Sequence, residues 1–194
     1  MRLFDLTHPL GPETPVFPGD EPVRLRASAS LAPDGYRAAR LELGTHSGTH
    51  VDAPAHLLPG GAKLAELPLE LWIGPGLLLD AGALEGGALP QAERLLLAGC
   101  PDGIPPEWAR ALAGRGLRLL GIDGPSVDPV ASRELPAHRA LLGAGAVIVE
   151  NLRLEGAPRG RGTLYCLPLR VEAGDGAPAR VLWAPDEGHG AVLP

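Results

Sequence analysis

The segment HSGTHVDAPAH, from His46 to His56, places three of the chain's six histidines and one aspartate within eleven residues. Neutral imidazole nitrogen and ionised carboxylate oxygen are good ligands for divalent first-row metals. Two local geometries could use them. His46 and His50 would share one face of a helix, as in a zinc-protease motif. However, no glutamate follows His46, and Gly48, Thr49, Val51 and Pro54 all weaken a helix. An extended segment fits better. Its period of two puts His46, Gly48, His50 and Asp52 on one side, with Gly48 clearing room for an ion. Three protein ligands leave coordination positions open, the mark of a catalytic rather than a structural metal site.

The elements that must position these groups are legible in outline. Leu3 to Thr7 reads as a first strand, and the proline- and glycine-rich residues 9–22 as a stiff extended loop carrying Phe17. Val23–Ala27 and Arg37–Leu43 alternate apolar and polar residues, the pattern of half-buried strands, around a turn at Ala32–Gly35. Leu77–Leu79, Leu95–Leu97, Leu117–Ile122 and Val147–Val149 are apolar runs suited to buried strands. Thr163–Val171 and Arg180–Trp183 complete the sheet residues. Helices are expected from Pro106 to Ala113 and from Pro136 to Leu142. Strands dominate the first half and helix–strand units the second. The expectation is a single mixed α/β domain over residues 1–194.

Whole-chain properties narrow the function further. A chain of 194 residues can bury a core, and its 45% hydrophobic and 21% charged residues suit a soluble globular protein. The net charge of −6 removes the electrostatic basis for binding nucleic acid or an anionic membrane. The N-terminal MRLFDLTHPL is no signal peptide, and no run approaches the roughly 20 apolar residues of a membrane span. Cys100 and Cys166 are far apart and read as two reduced thiols, and Arg159–Arg161 as a solvated loop. A cytoplasmic protein acting on a small molecule is expected. There is no G-x-S-x-G elbow for a serine esterase, and no G-x-G-x-x-G or P-loop for a nucleotide cofactor.

The histidine segment also resembles a family signature. Its pattern, H-x-G-T-H-x-D-A-P-x-H, is that of the bacterial kynurenine formamidase (arylformamidase) family, the cyclase-like metal-dependent hydrolases, and His46–His56 matches it in full. VFPGD resembles the family's W-P-G-D, and LLGIDGPSVDP (Leu119–Pro129) its G-I-D-x-x-S-x-D-P. AHRALL, VENL, PLRV and APARVLW fit later stretches, so the likeness covers nearly the whole chain.

The resemblance implies a swivelling β/α (cyclase-like) fold, a homodimer and a two-metal site. His46, His50 and Asp52 would hold one ion, and Asp52 would bridge to a second held by His138 and Glu150. Two zinc ions per subunit are implied, with manganese the alternative because no thiolate is present. Without the family, His138 reads as a surface residue of a helix. Glu150 ends a buried apolar run, where a carboxylate needs a compensating cation. His56 takes the place of the family's proton shuttle. The implied reaction is hydrolysis of N-formyl-L-kynurenine to L-kynurenine and formate by a metal-activated water, with an imidazole proton passed to the leaving amine.

Phe17 stands where the family has tryptophan, and it either stacks on the substrate ring or packs in the core. This departure leaves room for another small or cyclic amide, such as isatin. A metal-binding protein without catalysis is the remaining reading, against which stands the presence of every matched ligand and His56. Ser126 and Asp128 read as turn residues, His8 as a strand end and His189 as part of a tail.

Overall fold

The central strands are the continuous apolar runs of the chain. In the computed structural model, which describes residues 2–86 and 88–186, the strands are β1 (Phe4–Asp5), β2 (Arg24–Ala29), β3 (Ala38–Glu42), β4 (His50–Asp52), β5 (Ile73–Asp80), β6 (Arg94–Ala98), β7 (Leu119–Ile122), β8 (Val147–Glu150), β9 (Gly160–Pro168) and β10 (Gly176–Pro185). The helices are the single turn α1 (Leu31–Asp34), α2 (Pro106–Gly114) and α3 (Pro136–Gly143). Strands β5, β6, β7 and β8 lie parallel and in order. Parallel neighbours need crossover connections, and α2 and α3 supply those into β7 and β8. Burial on both faces explains why RLLLA, LLGI and VIVE do not alternate.

Antiparallel pairings then close the sheet. β8 pairs with β4, β4 with β10, β10 with β9, and β9 with β5, so seven strands form a ring. β1 adds to β10 at Phe4 and Asp5. Val51, Leu78, Leu96, Leu119, Val149, Leu164, Val181 and Trp183 fill one core, to which every strand of the ring contributes. Leu95, Leu97, Leu120, Ile122 and Ile148 turn the other way and pack with Leu112 of α2 and Leu141 of α3.

Some expectations are corrected. β2 and β3 do form a hairpin, but as a separate two-stranded sheet, and they are exposed rather than half-buried. Leu25 and Leu41 keep 49% and 43% of their surface in solvent. The first strand pairs over two residues only, and β9 ends at Pro168. Arg161 belongs to β9, and Arg159 grips Asp80 with two hydrogen bonds instead of lying free in a loop. Among the described residues, no helix is long and apolar enough to cross a membrane. His189 lies outside the described residues.

Candidate metal centre

Only part of the histidine segment is a strand. His50, Val51 and Asp52 form β4 and are all buried, while His46 to Gly48 make the turn that enters it. Gly48 sits at φ +64°, and a Cβ there would stand 2.7 Å from Thr14 Cγ2. Its role is therefore the left-handed turn and the close approach of the Thr14 loop, not space for an ion. The glycine that makes room for His46 is Gly176, paired with Asp52 across β4 and β10. A Cβ at Gly176 would lie 2.6 Å from His46 Cε1. Pro54 then opens a single 3₁₀ turn ending at His56. That turn leaves the His56 ring centroid 4.2 Å from that of His46.

The other donors arrive from the second half of the chain. Glu150 is the last residue of β8 and pairs with His50. His138 lies in the first turn of α3, 4% exposed, which overturns its reading as a surface residue. Asp128 places it. The two oxygens of Asp128 accept the N–H groups of Ala137 and His138, each at 2.9 Å, so this carboxylate caps α3 from nine and ten residues away. Asp128 Oδ2 is also 2.8 Å from His138 Nδ1. Buried and ionised, with its carboxyl held below the usual range despite burial by these contacts, Asp128 is more than a turn residue.

The donor atoms fit a cation. His50 Nδ1 lies 2.8 Å from the Gly48 carbonyl, which can only accept, so Nδ1 carries the hydrogen. In the neutral ring Nε2 then presents a lone pair, and it faces Asp52 Oδ1 at 3.3 Å and Glu150 Oε2 at 3.4 Å. His138 repeats the pattern, with Nδ1 held by Asp128 and Nε2 facing Asp52 Oδ2 at 3.6 Å and Glu150 Oε1 at 3.4 Å. Acceptors facing acceptors need a proton or a metal between them. Metal–ligand bonds of about 2.0–2.1 Å at tetrahedral angles separate neighbouring donors by roughly 3.3–3.4 Å. Burial disfavours charge on His50, yet Asp52 and Glu150 outweigh it and push its pKa up to about 10. Asp52, buried but faced by His50, His138 and His46, is held well below the usual carboxylate range.

Donor atoms of His46, Asp52 and His56 lie within 4.8 Å of one another, as do those of His50, Asp52 and Glu150. Asp52 is common to both groups. His56 thus stands nearer the His46–Asp52 pair than its position beyond Pro54 suggests. All six expected polar residues line one cavity of about 340 Å³, together with Phe17, Asp20, Pro125, Ser126 and Leu135. Phe17 therefore stands at the cavity wall.

Residues 4–99 match the family model described as "Putative cyclase". Over 96% of its length the chain is 38% identical to the kynurenine formamidase of Salinibacter ruber, covering 100% of that protein. The chain belongs to the cyclase family. Its family fold is seen in a solved structure described as a potential metal-dependent hydrolase with cyclase activity, 27% identical, with a TM-score of 0.81 over 96% of this chain and 98% of that one. Isatin hydrolase A from Labrenzia aggregata is 26% identical and superposes with a TM-score of 0.82, covering 96% and 94% of the two chains.

Two acidic residues of this cyclase-family site, Asp20 on the cavity wall and Asp175, lie outside the set the sequence marks. Asp175, just before β10, places Oδ2 3.0 Å from His46 Nε2 and 3.1 Å from His56 Nδ1. Partial burial raises its pKa, but the hydrogen bonds from His56 and His46 prevail and hold the carboxyl below its ordinary range. The resemblance of APARVLW, which begins two residues later, marked the neighbourhood without marking the residue. Thus His46, His50, Asp52, His56, His138 and Glu150 come together, and Asp128 and Asp175 stand behind them.

Proposed function

We propose that this cyclase-family chain is a metal-dependent arylformamidase that hydrolyses N-formyl-L-kynurenine to L-kynurenine and formate. The observation that carries the reading is the position of Asp52. It is buried between two sets of imidazole and carboxylate donors, on the wall of a cavity that His56 and Phe17 also line. The likeness to the Salinibacter ruber kynurenine formamidase supports the substrate. The swivelling β/α class implied by the sequence belongs to the same reading.

In this assignment His46, His50 and Asp52 hold one ion, and Asp52, His138 and Glu150 hold a second. Distances alone would also let His50 share Glu150, since its Nε2 lies 3.4 Å from Oε2. Zinc suits the nitrogen and oxygen donors, and manganese is the alternative. Such ions supply Lewis acidity, lowering the pKa of water and polarising the formyl carbonyl. The protein does the rest. His50 and His138 are each locked through Nδ1 to a fixed acceptor, which aims Nε2 inward. His56 takes a proton from the water that adds to the formyl carbon and delivers it to the amine nitrogen as the C–N bond breaks. Phe17 lies where it can stack on the aryl ring of the substrate.

A second reading keeps the site and changes the substrate to a cyclic amide. Phe17 in place of tryptophan and the likeness to isatin hydrolase A favour it. Metal-loaded protein is to be assayed with N-formyl-L-kynurenine, other N-formyl aryl amines and isatin. Turnover of isatin without turnover of formylkynurenine would reverse the order of the two readings. Bound metal with no hydrolysis at all would support a non-catalytic metal-binding protein.

The proposal includes a homodimer and a cytoplasmic location, the latter supported by two buried, unpaired cysteines. The exposed β2–β3 hairpin supports the dimer. Two-stranded hairpins are marginal alone, and this one carries Arg24, Arg26, Arg37 and Arg40 against Asp34 and Glu42 in a chain of net charge −6. Against these arginines a second copy brings a net negative charge. Light scattering after gel filtration should give twice the chain mass, falling to the single mass when Leu25 and Leu41 are both replaced by aspartate.

A further inference from the structure

Asp175 has no task in the scheme above. It lies in the turn into β10, and its backbone carbonyl accepts the Ala53 N–H at 2.8 Å, tying that turn to the end of β4. The neighbouring Gly174 carbonyl accepts the Leu64 N–H at 3.0 Å. These backbone bonds hold the turn without help from the Asp175 side chain, which is 43% exposed. The side chain is therefore free for another purpose.

A single oxygen serves both imidazoles. Oδ2 stands 3.0 Å from His46 Nε2 and 3.1 Å from His56 Nδ1. A carboxylate oxygen only accepts, so the ring nitrogen facing it carries the hydrogen in each case. In histidine the nitrogen that keeps the proton is decided by the hydrogen bond it makes. His46 faces a carboxylate oxygen at both nitrogens, with Nδ1 2.6 Å from Asp52 Oδ1, so in the metal-free chain both carry hydrogen; ligation would displace the one on Nδ1 and leave the Nε2–H that Asp175 holds. His56 is left with its Nε2 lone pair, the ring nitrogen available to the cavity it lines.

We propose that Asp175 is a positioning residue that sets opposite tautomers on His46 and His56 through one carboxylate oxygen. His46 becomes an Nδ1 donor toward the ion and His56 an Nε2 base toward the substrate. The inference rests on the proposed roles of those two histidines as ligand and proton carrier. Outer carboxylates that orient ligating histidines typically govern metal affinity by about 10–100-fold. Here the same group would also govern the proton carrier, so that binding and turnover share one control point.

Nitrogen-15 histidine labelling of the zinc-loaded protein reads the tautomers through ring nitrogen–proton correlations. The wild type should show Nδ1–H on His56 and Nε2–H on His46. In Asp175→Ala, His56 should lose its fixed Nδ1–H signature, and zinc should bind about 10–100-fold more weakly in chelator competition. With N-formyl-L-kynurenine, kcat should fall with little change in KM, and Asp175→Glu should recover part of it. Should the alanine variant not fold, Asp175→Asn keeps the side-chain shape and shows the same loss in smaller degree, because a neutral amide oxygen accepts more weakly. An unchanged His56 tautomer overturns the proposal, even if zinc binding weakens, since a merely structural role would give that pattern. Neither tautomer nor zinc affinity needs a substrate. Failure to hydrolyse formylkynurenine would therefore strike the proposed function and leave this result readable.

Discussion

Glu150 pairs with His50 across the antiparallel β4–β8 ladder, and its Oε2 lies 3.4 Å from His50 Nε2. One register thus sets a carboxylate from the second half of the chain beside an imidazole from the first. A shift of a single residue would turn one of them away, because successive side chains of a strand point to opposite faces. Glu150 also accepts the Val127 N–H at 2.7 Å, so its carboxylate is anchored as well as charged. Glu150→Gln should keep the fold and halve the metal content measured by elemental analysis. Turnover should drop by about two orders of magnitude or more, the loss of a few kcal/mol of transition-state stabilisation. Full metal content in the variant would remove Glu150 from the ligand set.

His56→Ala should separate binding from chemistry. The His56 ring lies 4.2 Å from that of His46, but its Nδ1 is engaged by Asp175. Metal should be retained, and kcat should fall by about 10²–10⁴-fold, the usual worth of a positioned general acid or base. Loss of an ion together with activity would make His56 a ligand instead.

Loading with metal should expel protons. In the metal-free chain, burial opposes charge on His138, yet Asp128, Asp52 and Glu150 push its pKa up to about 10, and His50 is raised as far. Raised pKa values stabilise the fold fully below the ordinary value of about 6.5, and that contribution is lost as pH climbs through about 10. Metal ligation needs the neutral rings, so affinity should rise with pH across the same window. Calorimetry near pH 8 in buffers of different ionisation enthalpy should register proton release on full loading, from His50 and His138 at least. Buffer-independent heats would contradict it.

Gly176→Ala tests how His46 is housed. A Cβ there would stand 2.6 Å from both His46 Cε1 and the Val51 carbonyl oxygen, and backbone cannot yield cheaply. Overpacking of this kind costs about 1–3 kcal/mol. Thermal denaturation should show a Tm lowered by several degrees, along with weaker metal uptake. Gly82→Ala, where nothing lies within 4 Å of the added carbon, provides the control. Equal melting of the two variants would mean that the His46 pocket is slack.

The site was legible where chemistry is local. Three imidazoles and a carboxylate in eleven residues announce a ligand set whatever the fold, and the apolar runs of β6, β7 and β8 announce buried strands. Long-range relations were not. Asp128 precedes a proline in a stretch rich in turn formers, so a turn role was natural; its grip on the start of α3 is a tertiary contact. Asp175 is a lone aspartate between glycines, 119 residues from His56, with no periodicity to mark it. The alternation of β2 and β3 revealed strands but could not say what, if anything, covers Leu25 and Leu41.

The placing of β4 between β8 and β10 has a bearing on how the molecule comes into being. The histidine-bearing strand is made early, but both of its ladder partners are made late; Thr49 bonds a residue 102 positions on, and His46 one 129 positions on. Until those strands emerge, β4 has two open edges, and contacts so distant in sequence form slowly. Closing the ring and completing the donor set are therefore one event. On the proposed two-ion reading, a full complement of metal would report that β4 has found both of its ladder partners.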